Sequence, residues 1–287
     1  MRRLAALALV PALALTGCAA FTDDSVGIDD GVQVAAAFYP LQYVAQRVAG
    51  DHAEVVNLAS SQGEPHDLEL TVRETAEVAQ ADLVVYERGF QPAVDDAVDT
   101  TAAGATLDVR DAADVRPDDP HFWQDPLLVA DVGDAVADQL ADVDPDHADD
   151  YRANAAALRS DLETLDAQYA DGLAHCQRHT VVVSHDAFAY LDRYGLEFEP
   201  IAGLSPDAEP TPSDLQHLQQ LIDEEGITTV FHESLVSPEA AEQLAHDTGA
   251  HAGVLDPVEG LTDTTSDEDY LSLMEANLAA LEEANGC

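Results

Sequence analysis

The stretch PDHADDYRANAAALRSDLETLDAQYADGLA, residues 145–174, decides the architecture. Tyr151, Ala155, Leu158, Leu162, Leu165, Tyr169 and Leu173 recur at spacings of three and four, with Asp, Glu, Arg and Gln on the remaining faces. That period predicts one amphipathic helix, about 40 Å long at 1.5 Å per residue. On its N-terminal side, short apolar runs at 33–38, 54–58 and 83–86 alternate with helical patterns at 41–49, 71–80 and 92–99. On its C-terminal side the alternation restarts, with strands at 180–184, 197–201, 229–231 and 251–255 and helices at 188–194, 212–225, 238–248 and 267–285. Strands alternating with helices imply parallel βα units. The expected fold is therefore α/β: two βα-repeat lobes, residues 32–144 and 176–287, joined by one long rigid helix at 145–175. A coiled-coil dimer helix would share this period, but one segment between two α/β lobes is better read as a spine packed along both, in a monomer.

Composition bounds the partners. Asp and Glu total 57 against 11 Lys plus Arg, all 11 being arginine, for a formal charge of −46. Such a surface repels nucleic acid. It needs screening to stay compact, which points to a salt-rich environment. Disorder is ruled out by the 46% of hydrophobic residues, placed with regular period.

The N-terminus reads as an export signal. Arg2 and Arg3 precede an apolar run, residues 4–15, too short to span a bilayer, and Leu15-Thr16-Gly17-Cys18 follows at once. That tetrapeptide resembles the lipobox of prokaryotic lipoproteins. The resemblance implies a signal peptide at 1–17 and a lipid anchor on Cys18 holding the protein to the outer face of the cytoplasmic membrane, with residues 18–31 as a flexible tether. Cys176 and Cys287 remain, an even pair in an exported chain, expected to form a disulfide. Their other use would be as soft metal ligands, with His175 and His179 flanking Cys176.

Three histidines sit at sharp local turns: Glu64-Pro65-His66-Asp67, Asp119-Pro120-His121-Phe122-Trp123 and Ser184-His185-Asp186. Each ends a strand-like run or adjoins a proline, where side chains from different elements converge. Neutral imidazole suits zinc, copper, iron and nickel, and a tetrahedral zinc site takes four N, S or O donors. Three histidines leave one donor to find.

Pro65-His66-Asp67, Asp-Pro-His-x-Trp-x-Asp-Pro at 119–126, Ser-His-Asp-Ala-Phe-x-Tyr at 184–190 and Val-Leu-Asp-Pro at 254–257 together resemble the four ligand segments of the cluster A-I solute-binding proteins of metal ABC importers. The match runs in order over nearly the whole mature chain. It implies a metal site between the lobes, with His66 and His121 from the first and His185 and Asp256 from the second. Glu64 is the alternative to Asp256. The resemblance further implies an extracytoplasmic receptor that captures Zn2+ and passes it to a membrane ABC permease. Manganese-type members place a carboxylate where His185 stands, so histidine there favours zinc; a manganese receptor of the same transporter class is the alternative. Many zinc-type members carry a His-rich acidic loop before the second ligand, whereas residues 111–119 hold no histidine, which puts a second zinc-collecting site in doubt.

Asp67, Asp125 and Asp186 are candidates to orient the imidazoles, Trp123 to shield the site, and His232 to add a ligand. A zinc hydrolase would need an open coordination position, which four protein ligands leave no room for, so the chain is not expected to be an enzyme. An adhesin role, attributed to some relatives, has no residue signature here.

Overall fold

The computed structural model describes residues 31–59, 64–206 and 208–287. The expected signal peptide, Cys18 and the tether up to residue 30 lie outside these. Eight strands and eight α-helices appear among the described residues. In the first lobe they are β1 (Val32–Ala36), α1 (Tyr39–Ala49), β2 (Ala53–Asn57), α2 (Val72–Gln80), β3 (Leu83–Tyr86), α3 (Pro92–Thr101), β4 (Ala105–Asp108) and α4 (Pro126–Val143). The long helix follows as α5 (Ala148–Gly172). The second lobe comprises β5 (Thr180–Val183), β6 (Glu197–Pro200), α6 (Pro212–Glu225), β7 (Thr229–His232), α7 (Glu239–Thr248), β8 (His251–Val254) and α8 (Tyr270–Asn285).

The two sheets have the same topology. Their orders are β2-β1-β3-β4 and β6-β5-β7-β8, every pairing parallel. In each sheet the order reverses between the first and third strands, β1 and β3 or β5 and β7. Loops leaving the carboxyl ends of strands at such a reversal form a natural binding crevice.

The spine forms as its period requires. Tyr151, Ala155, Leu158, Leu162, Leu165 and Tyr169 are all buried along α5. Pro145–His147 makes a separate 3-10 turn ahead of it, because the proline can start a helical turn but not sit within one. α5 packs against α1 and α4 of the first lobe and α8 of the second. The Tyr169 hydroxyl donates to the Met274 carbonyl at 2.7 Å, tying spine to α8. Gly133 permits the close approach of α4 and α5, since a Cβ there would lie 3.2 Å from Leu158 Cδ2. One continuous apolar core includes Val34 and Val85 of the first sheet, Leu158 and Leu162 of the spine, and Val181 and Leu255 of the second lobe.

Three local expectations change. Residues 188–194 form a 3-10 turn, Ala189–Tyr194, ended by Gly195 at φ 85°, rather than an α-helix. The last helix begins at Tyr270, where Asp269 and Ser272 cap it reciprocally, not at 267. β4 and α4 are additional to the elements expected: β4 is only four residues long, Ala-Thr-Leu-Asp, two of them polar, and α4 mixes Ala, Gly and Asp among its apolar positions.

Cys176 and Cys287 are joined in a disulfide spanning 111 residues. Around it, the Asn285 carbonyl accepts from the backbone amides of Gln177 and Arg178, and the Arg178 guanidinium donates to the Ala284 carbonyl. The end of α8 is thereby fastened to the start of β5. No helix among the described residues is long and apolar enough to cross a membrane.

Candidate metal centre

Each lobe sends loops from the carboxyl ends of its strands to one point. After β2, Pro65 starts the 3-10 turn Pro65–Asp67, Glu64 caps it by accepting from the His66 amide, and Gln91 donates to the Pro65 carbonyl. After β4, Asp119 accepts from the His121 amide, Phe122–Gln124 form a further turn, and Asp125 caps α4 by accepting from the Leu127 amide. His185 follows β5 directly and is fully buried.

The fourth group is Glu259. His66, His121, His185 and Glu259 each bring one donor atom to within 4.8 Å of all the others. Glu259 Oε1 lies 3.4 Å from His66 Nε2, 3.4 Å from His121 Nε2 and 3.5 Å from His185 Nε2, and the first two imidazole nitrogens are 3.3 Å apart. A tetrahedron with metal–ligand bonds of about 2.1 Å has edges of about 3.4 Å, so these separations match a zinc-sized tetrahedral site. His185 Nε2 and both Glu259 carboxylate oxygens are buried without a hydrogen-bond partner. Buried polar atoms without partners are rare and call for an explanation. Coordination supplies one.

Asp256 does not join the cluster. Its carboxylate accepts from the Ser234 hydroxyl at 2.6 Å and from the Val258 amide at 2.7 Å, and Asn277 holds its backbone on both sides. Asp256 instead shapes the loop that swings Glu259 inward. At its apex Val258 adopts φ 61°, an unfavourable left-handed conformation for a β-branched residue. The Pro257 carbonyl, which accepts from Trp123 Nε1 and Gln124 Nε2, helps hold it there. Glu64, the other expected carboxylate, stands at the rim with its Oε1 4.0 Å from His66 Nε2.

Two carboxylates fix the rings from behind. His121 Nδ1 lies 2.8 Å from Asp119 Oδ1, and His185 Nδ1 lies 2.5 Å from Glu233 Oε1, which also accepts from the Ser184 hydroxyl. Both contacts turn Nε2 toward the cluster, the usual arrangement behind metal-binding histidines. Among the described residues, Asp119 and Glu233, rather than the expected Asp67, Asp125 and Asp186, bring carboxylates to the imidazole Nδ1 atoms. Asp125 caps α4 and pairs with Arg193 instead. His232 lies outside the cluster, its Nδ1 against the Glu233 carbonyl. Trp123 is wholly buried, edge-on to the His121 ring at 5.2 Å, and its carbonyl accepts from Tyr270. It walls the site and joins the lobes.

Electrostatics follow from this packing. Burial alone would lower the His185 pKa, but the Glu233 and Glu259 carboxylates outweigh it and raise it to about 10. His121 shifts upward as well, the Asp119 and Glu259 carboxylates overcoming burial. Burial would raise Glu259, yet the three imidazoles hold it well below the carboxylate range. Burial, then Glu259, push Glu64 up to about 8. Protons and a divalent cation thus compete for the same nitrogens.

Fold and centre together define a two-lobed α/β binding protein with a three-histidine, one-carboxylate cluster where the lobes meet. The chain matches the family model described as zinc-uptake complex component A, periplasmic, over residues 34–284, and it belongs to that family. It is 32% identical over 302 residues to the zinc-binding lipoprotein AdcA of Streptococcus pneumoniae (strain ATCC BAA-255 / R6), covering 96% of this chain and 60% of that protein. The chain therefore spans about 60% of that relative's length. Among solved structures, the laminin binding protein of Streptococcus agalactiae, described as bifunctional with adhesin and metal transporting activity, superposes with a TM-score of 0.83 at 30% identity, covering 88% of this chain and 99% of that one. The Zn(II)-bound ZnuA-like domain of S. pneumoniae AdcA superposes with a TM-score of 0.79 at 32% identity, covering 90% and 100%.

Proposed function

We propose that the protein is an extracytoplasmic zinc receptor that binds one Zn2+ through His66, His121, His185 and Glu259 and delivers it to a membrane ABC permease. In this reading Glu259 takes the place expected for Asp256. The observation that carries it is Glu259 Oε1 standing 3.4–3.5 Å from all three imidazole nitrogens, with the His66 and His121 Nε2 atoms 3.3 Å apart. Three imidazoles and one carboxylate form a borderline donor set suited to zinc, whereas manganese favours more oxygen ligands and a higher coordination number. The zinc-binding names of the relatives agree with this reading. Copper(II) would also bind such donors tightly, so selection rests on the geometry the two lobes impose.

Four protein donors fill a tetrahedron and leave no position for a reactive water, which argues for carriage rather than catalysis. Cys18 is the proposed acylation site, anchoring a monomer to the outer face of the cytoplasmic membrane, with the 18–31 segment as its tether. The domain division keeps lobes at 32–144 and 176–287 around the 145–175 spine. Competitive titration against a chromophoric chelator tests the function. The expected result is one tightly held Zn2+ per chain with far weaker Mn2+ binding. Equal affinity for both ions, or no saturable zinc binding, would defeat it.

A further inference from the structure

Between the lobes, one second-lobe hydroxyl bridges two points of the segment that leads into His121. Tyr190, in the 3-10 turn of the second lobe, accepts from the Arg116 amide at 2.6 Å and donates to the Asp119 carbonyl at 3.1 Å. Asp119 is the residue whose carboxylate grips both the amide and the Nδ1 of His121. The Arg116 guanidinium covers the Tyr190 ring at 4.3 Å, donates to the Ala189 carbonyl at 3.0 Å and pairs with both Asp192 oxygens at 3.1 Å. Arg110 adds a bond to the Arg116 carbonyl from within the first lobe. A second-lobe tyrosine thus bridges both ends of the four-residue stretch that positions a first-lobe histidine.

We infer that Tyr190 is a positioning residue, a latch between the lobes that holds Asp119, and through it His121, in the closed geometry, so that its bonds govern how fast the metal leaves. The inference rests on the zinc-binding reading above. Its logic is kinetic. Metal entering an open site has not yet engaged the latch, whereas metal leaving a closed one requires the Arg116–Asp119 segment to move away from the second lobe. Outer partners of ligating histidines change affinity by about 10–100-fold when removed, and here that change falls on dissociation.

Zinc-loaded wild-type, Tyr190→Phe and Tyr169→Phe proteins, mixed rapidly with excess chelator, test the latch. Tyr169→Phe loses a comparable buried hydrogen bond, that to the Met274 carbonyl, which touches neither the cluster nor the Arg116–Asp119 segment. Tyr190→Phe is expected to speed zinc release about tenfold with the association rate unchanged, while Tyr169→Phe releases zinc at the wild-type rate. Release from Tyr190→Phe at the wild-type rate would overturn the inference, as would equal acceleration in both variants, which would mark general loosening. Should Tyr190→Phe not fold, Asp192→Asn frees Arg116 from the exposed side; faster release supports the latch, and wild-type release overturns it. A wild-type protein that retains no zinc would overturn the zinc reading itself, a result distinct from all of these.

Discussion

His185 Nδ1 lies 2.5 Å from Glu233 Oε1, so the imidazole leaving β5 is aimed by the carboxylate leaving β7, across the reversal point of the second sheet. Topology thus places the proposed ligand His185 and the carboxylate behind it side by side. Glu233→Gln keeps the side chain's shape and removes its charge. Zinc affinity is expected to fall about 10–100-fold. Competition titration checks this, and unchanged affinity would remove Glu233 from the centre.

Asp256 and Glu259 stand three residues apart and should fail in different ways. Glu259→Ala removes a donor, so zinc affinity should drop by more than a hundredfold with the fold retained. Asp256→Ala breaks buried hydrogen bonds to Ser234 and Val258, and leaving such partners unsatisfied costs about 1–3 kcal/mol each. Its first effect should be a lower thermal midpoint of the metal-free protein. Parallel melts and titrations separate the two; the opposite pattern would restore Asp256 as the ligand.

Proton linkage has a definite sign. The His185 pKa is raised to about 10 in the folded protein, above the ordinary 6.5. In the metal-free protein its contribution to stability is full below pH 6.5 and is lost as the pH rises toward 10. Zinc coordinates only the neutral ring, so binding near neutrality should release protons and tighten from pH 6 to pH 9. Calorimetric titration in buffers of different ionisation enthalpy measures the release. No proton release at pH 7, or affinity that is flat with pH, would contradict the arrangement.

The spine and the three histidines were legible because their signals are local. The 3.6-residue period of α5 survives in the buried face from Tyr151 to Tyr169, and His66, His121 and His185 each sit in a turn that the chain's own prolines or strand ends announce. Glu259 was not legible, since one more carboxylate among 57 acidic residues has no local mark. What brings it inward is the positive φ of Val258 and contacts from Trp123 and Gln124, more than 130 positions away. Asp256-Pro257 resembles a ligand segment because it belongs to the turn that brings Glu259 to the cluster. Asp119 and Glu233 escaped for a similar reason: Glu233 is 48 residues from the ring it orients, and Asp119 is one of several aspartates near its own.

The disulfide closes a separation of 111 residues, for which chain entropy predicts about 4–5 kcal/mol of stabilisation. Replacing Cys176 and Cys287 by serine should lower the free energy of denaturant unfolding by about 2–5 kcal/mol without changing zinc stoichiometry. A stoichiometry that fell with the cysteines would assign them a role in binding instead.

X-ray absorption spectroscopy of the zinc-loaded protein tests the central assignment most directly. Three imidazoles and one carboxylate predict four N or O neighbours at about 2.0–2.1 Å, with the multiple-scattering pattern of three histidine rings. Zinc–sulfur scattering at about 2.3 Å, a shell with fewer than three imidazoles, or a wild-type spectrum retained in Glu259→Ala would contradict it.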